Sequence, residues 1–183
     1  MKTVQEYLVE CNLLDQVLDG IEKITLNHEY KDTVKDALCL WRMEIISKTA
    51  RVAGRCCPSK RKIQLHNELL KPGRENDRDT TLLHEVGHLL VGFFWGRILS
   101  RKPKDHGKEW KYVTKLIGGV PDRCHNFEYF NQMSKAKANH KYVCMDCGWE
   151  HFTIRRLKNI DRRHHVGCQH RENHGRFKHI HLI

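Results

Sequence analysis

The chain is 183 residues long, 39% hydrophobic and 30% charged, enough apolar material for one ordinary core, which excludes a disordered or low-complexity chain. Its longest apolar run, 89–99, falls short of the roughly 20 residues that a membrane helix needs, so no membrane partner is expected. Lys and Arg number 33 against 22 Asp and Glu, and the excess is uneven: residues 133–183 carry 11 against 4, the first 132 carry 22 against 18. A basic excess at one end points to a polyanion, nucleic acid first.

The N-terminal stretch mixes acids into its apolar positions and lacks the unbroken apolar core of a secretory leader. A reducing, cytoplasmic compartment follows as the expectation, so the eight Cys need not form disulfides. Val4, Tyr7, Leu8, Cys11, Leu14, Leu18 and Ile21 recur at steps of three and four, which predicts one amphipathic helix. Val34, Leu38, Trp41 and Ile45 predict a second. Arg51-Val52-Ala53 and Lys62-Ile63-Gln64-Leu65 alternate polar and apolar around Pro58-Ser59-Lys60, which predicts two short strands and a turn. Residues 69–79 read as a loop containing Pro72-Gly73. A third helix starts near 76–79, where Asn or Asp can cap it. It carries Leu82, Leu83, Val86, Leu89, Leu90 and Phe93, and Gly92 and Gly96 weaken its end. A fourth runs from about His106 to the stop signal Gly118-Gly119. The polar stretch 131–140 reads as a linker.

In His84-Glu85-Val86-Gly87-His88, two His four residues apart lie one helical turn apart on one side. Both imidazoles can then reach one zinc ion. Glu85 points about 100° round the helix, where it need not bind metal and can take a proton from water. This is the logic of a zinc-peptidase helix. The bland alternative is a pair of surface His. A catalytic zinc takes a third protein ligand, for which His106 is the first candidate, with Glu109 and His125 as rivals.

These residues, with His106-Gly107-Lys108-Glu109-Trp110 and Gly119-Val120-Pro121, resemble the SprT-like family of zinc metalloproteases, bacterial SprT type, related to the Spartan DNA–protein crosslink protease. Ala53-Gly54 and Ile63-Gln64-Leu65-His66-Asn67 resemble the family's strands before the motif helix. The resemblance implies a compact α+β, zincin-like protease core. It also implies His84, His88 and His106 as ligands of a catalytic Zn2+, and Glu85 as general base. For Spartan-type members it implies protein substrates trapped on DNA.

Cys144-Met145-Asp146-Cys147-Gly148 is a thiolate knuckle that can grip a second, structural Zn2+. Where the family pattern has another Cys pair, this chain has only Cys168. His165 keeps the knuckle spacing to Cys168 and is the first choice for the remaining ligand, with His170 or His174 as alternatives. Such an ion would fold a tail too short to bury much core unaided. Arg155, Arg156, Lys158, Arg162 and Arg163, with Tyr142, Trp149 and Phe152, mix cations and rings. That suits single-stranded or distorted DNA without sequence specificity. The alternative is a solvated basic ribbon whose rings are its core.

The sequence thus predicts an α+β protease domain over 1–130, a linker over 131–140 and a zinc-ribbon-like tail over 141–183. The expected activity is zinc-dependent peptide hydrolysis on DNA-associated proteins. The competing reading is a non-catalytic DNA-binding or repair accessory module.

Overall fold

The computed structural model describes residues 2–24, 30–47, 52–96, 103–122, 127–169 and 172–182. The fold is α+β, and the chain divides into two compact units, Met1–His125 and Asn126–Ile183. Among the described residues no helix is long and apolar enough to cross a membrane.

The first unit opens with α1 (Val4–Glu10), α2 (Leu14–Lys23) and α3 (Lys31–Leu40). Thr3 starts α1 with a capping box: its hydroxyl accepts from Glu6 N–H, and Glu6 accepts from Thr3 N–H. The single helix expected over 4–21 is two helices. Asn12 adopts a left-handed φ of 56°, and Val17, Gly20 and Ile21 then form the buried stripe of α2. The second expected helix ends at Leu40. Trp41 is its C-cap, and Ile45 lies in β1 (Arg42–Ile46).

β2 (Gly54–Cys57) and β3 (Lys62–His66) form the expected hairpin, shifted because the first strand begins at Gly54. Its turn is a 3-10 segment, Pro58–Lys60, closed by Arg61 at φ 46°. The strand order is β1-β3-β2, with β1 parallel and β2 antiparallel to β3.

α4 (Glu75–Phe94) packs on this sheet and is buried on nearly all sides from Thr81 to Val91. It has no side-chain cap, and Glu75 instead accepts from Gly73 N–H. α5 (Lys108–Leu116) packs against α4 and α2. It stops as the glycine pair predicts: Gly118, at φ 77°, donates to Lys115 O, and Gly119 donates to Thr114 O. Leu82, Val86, Leu90, Val113 and Ile117 are fully buried between these layers. Each contributes roughly 1.5–3 kcal/mol by leaving water.

The second unit begins with α6 (Glu128–Ala136), so residues 131–136, expected as linker, are helical. Asn131, Gln132 and Lys135 are exposed, while Phe130 is buried. β4 (His140–Cys144), β5 (Glu150–Thr153) and β6 (Phe177–His181) form an antiparallel sheet ordered β5-β4-β6. Tyr142 is fully buried and its hydroxyl accepts from Leu157 N–H, so this ring belongs to the core and not to a nucleic-acid surface.

Candidate metal centres

α4 carries His84 and His88 on one side, and the loop entering α5 brings His106 to them. His106 holds a left-handed φ of 57°. Gly107 follows it, where a Cβ would sit 2.9 Å from Lys104 O. The Nε2 atoms are 2.9 Å apart for His84 and His106, 3.1 Å for His88 and His106, and 3.3 Å for His84 and His88. A neutral imidazole nitrogen either donates or accepts, so three facing inward satisfy one cation better than they satisfy one another. Zn–N bonds of about 2.0–2.1 Å suit this spacing. The three residues therefore fit a zinc ion. Burial, then the neighbouring His106, push the His88 pKa down to about 4, which leaves its lone pair available at neutral pH. Glu109 is not in the group.

Trp110 braces all three rings. Its centroid lies 4.6 Å from that of His84, 5.4 Å from His88 and 4.7 Å from His106. Its indole N–H donates to His84 O at 3.3 Å. Gly87 makes the approach possible, since a Cβ there would lie 2.5 Å from Thr114 Oγ1 and 3.1 Å from Trp110 Nε1.

Glu85 is buried, and burial raises its pKa to about 7, against the lowering effect of a hydrogen bond from Cys56 N–H and the charge of Arg55. The alternation along the hairpin explains that hydrogen bond. His66 N–H donates to Ala53 O, so the backbone groups of Gly54 and Cys56 point away from β3. Sequence reasoning missed these two residues as neighbours of the site. A lone glycine and a vicinal Cys pair give no signal without the register. Of the residues considered as rivals or alternatives, His125 and His170 lie outside the described residues.

In the second unit, Cys144, Cys147, His165 and Cys168 bring their ligand atoms within 4.8 Å of one another. Cys147 Sγ is 3.2 Å from His165 Nδ1, and Cys144 Sγ is 3.8 Å from Cys168 Sγ. Three thiols and an imidazole suit a closed tetrahedral zinc site. Gly148, at φ 71°, makes the turn after the knuckle. Trp149 stacks on His165 at 4.5 Å and 11°, fixing the ring that offers Nδ1. Asp146 was also missed. It ties the knuckle to the C-terminal loop by accepting from Asn173 N–H and Nδ2 and from Gly175 N–H. Arg155, Arg156, Lys158, Arg162 and Arg163 are all exposed, as is Trp149. Phe152 is covered by the ammonium groups of Lys135 and Lys141.

Residues 23–137 match the SprT-like family. Protein SprT of Klebsiella pneumoniae is 33% identical over 111 residues, covering 60% of this chain and 61% of that protein. Protein SprT of Cronobacter sakazakii is 35% identical over 102 residues, covering 55% of each. That of Escherichia coli O157:H7 is 34% identical over 101 residues, covering 55% and 56%. The matched stretch thus spans about three fifths of the relatives' length. With more than half of its length matched to the family, the chain belongs to the SprT-like family.

Proposed function

We propose that the chain is a zinc-dependent endopeptidase acting in the cytoplasm on proteins held on DNA. The reading is carried by a buried carboxylate, Glu85, on the helix that bears His84 and His88, with His106 converging on them from the loop before α5, in a SprT-like chain. A zinc ion held by His84, His88 and His106 would supply a Lewis acid. Glu85 is the base. With a pKa of about 7, it takes a proton from the attacking water at neutral pH and delivers it to the departing amine nitrogen. Cys56 N–H steadies the carboxylate. Trp110 holds the imidazoles in place, and half-burial beside His106 keeps His88 neutral.

The second group, Cys144, Cys147, His165 and Cys168, is a structural zinc site that folds the tail. The exposed cations at 155, 156, 158, 162 and 163, with the exposed Trp149 ring, support contact with phosphates and unstacked bases. That contact would have no sequence preference.

The test is cleavage of a DNA-binding protein by the zinc-loaded chain, with and without single-stranded DNA, beside Glu85→Gln. DNA-dependent cleavage that the variant loses supports the reading. Cleavage indifferent to DNA removes the DNA partner and keeps the peptidase. No cleavage, with zinc and DNA both bound, replaces it with a non-catalytic DNA-binding or repair accessory module.

A further inference from the structure

Three histidines of the second unit stand apart from both groups above. We infer that His140, His179 and His181 form a third metal site, for a divalent ion that favours imidazole: zinc, nickel or copper.

The register makes the cluster. β4 is the central strand, and His140 lies directly opposite His181 on β6, while Tyr142 lies opposite His179. Side chains alternate between faces with a period of two. His140 and Tyr142 therefore share a face with His179 and His181. His140 Nδ1 and His179 Nε2 are 3.1 Å apart, within the 2.9–3.3 Å range of the His84, His88 and His106 nitrogens. The His140 ring centroid is 5.1 Å from both His179 and His181, against 4.7–5.1 Å within that first trio. His140 and His179 thus already form an imidazole pair at chelating separation, with the His181 ring beside His140. His181 is exposed at the end of β6, so its ring is free of packing that would stop it turning towards an ion held by the other two.

The surroundings favour a metal over a plain hydrogen bond. Tyr142 stacks on His179 at 4.8 Å and 22°, which fixes that ring while Nε2 faces His140. Leu182 N–H donates to Asn139 O and locks the strand ends in register beside the cluster. Partial burial, then the charges of His181, His179 and Arg156, hold His140 below the usual imidazole range, so a proton does not compete for its lone pair at neutral pH. Across β4 on the other side, the facing residue is Thr153, which carries no charge. Arg156 is a permanent cation acting on His140, and it weakens an added dication without removing the donors. An all-nitrogen set selects zinc, nickel or copper over the hard ions magnesium and calcium. Cys144 is four residues along β4, about 13 Å away, so the thiolate group cannot share this ion.

The test is equilibrium dialysis of the full chain against graded micromolar free zinc, with bound metal counted by atomic emission, for wild type, His140→Gln, His179→Gln and His181→Gln. Read as a difference between wild type and variants, the count does not depend on how the other two groups behave. The wild type is expected to bind one more equivalent, with micromolar affinity, than His179→Gln. In His140→Gln and His181→Gln that equivalent should weaken at least about tenfold. Magnesium should not replace it. Equal stoichiometry and affinity in all four proteins would overturn the site. A variant-free arm guards against a disturbed sheet. In the unaltered protein, the ring proton resonances of His140, His179 and His181 should shift together as the last equivalent is added. Absence of that joint shift would overturn the site as well.

Discussion

Gly54 of β2 lies against the side chain of Glu85 on α4: a Cβ at Gly54 would sit 2.9 Å from Glu85 Cγ, 3.0 Å from its Oε1 and 2.7 Å from Thr81 Cγ2. Thr81 and Glu85 are both buried, so neither side chain has open space to retreat into. The glycine is there to leave room for the carboxylate.

Gly54→Ala is therefore expected to displace Glu85 while leaving the three His in place. Cleavage should fall about tenfold or more, since misplacement by about an ångström is costly. Stability should drop by roughly 1–3 kcal/mol from overpacking. Steady-state kcat measured beside zinc content checks this; unaltered kcat would contradict it.

The metal-free chain should show opposing pH dependences from two neighbours. Glu85 is raised from 4.5 to about 7, so its contribution to stability is fully present below pH 4.5 and is lost as pH rises through about 7. The loss is on the order of 3 kcal/mol. His88 is lowered from 6.5 to about 4, so its contribution is present above pH 6.5 and is lost as pH falls towards 4. Denaturant unfolding of metal-free wild type and Glu85→Gln across this range should show the variant gaining on wild type as pH rises. A constant difference would refute the Glu85 shift.

Trp110→Phe keeps a ring against the imidazoles but removes the indole donor to His84 O. We expect a loss of roughly 1 kcal/mol in stability and about tenfold weaker zinc binding at the first group, as for other residues that orient metal ligands. Competition with a chelator measures the second effect. Wild-type affinity would show that the carbonyl contact does not orient His84.

Asp146→Ala removes three hydrogen bonds that join the knuckle to residues 173–175. Burial opposes ionisation of Asp146, but the N–H groups of Asn173 and Gly175 hold its carboxyl below the usual range. Zinc held by Cys144, Cys147, His165 and Cys168 should leave faster to a chelator in the variant. Release at the wild-type rate would mean that the metal group organises this loop unaided.

What the sequence made legible was local. The spacing of His84 and His88 on a helix, the Gly118-Gly119 stop and the hairpin around Pro58 each follow from a few neighbouring residues. What stayed hidden depended on context. Asn12 is as compatible with a continuing helix as with the left-handed break it makes. Trp41 and Ile45 keep the helical spacing of Val34 and Leu38, so the change to a strand after Leu40 leaves no mark in the period. α6 is short and buries Phe130 alone, too little periodicity to mark a helix, which hides it as a linker. Gly54 and Cys56 acquire meaning only once the hairpin register turns their backbone groups towards Glu85.

The fastening of β4 to β6 has a consequence for proteolysis. Residues 154–163 are largely exposed and rich in arginine, so trypsin should cut there first. The cut would separate β4 and β5 from β6 in the covalent chain. Yet β4 and β6 pair along their whole length, Asp146 grips Asn173 and Gly175, and the thiol group joins residues 144–147 to 165–168. The nicked chain should therefore run as one particle in gel filtration and come apart only when denaturant or a chelator is added.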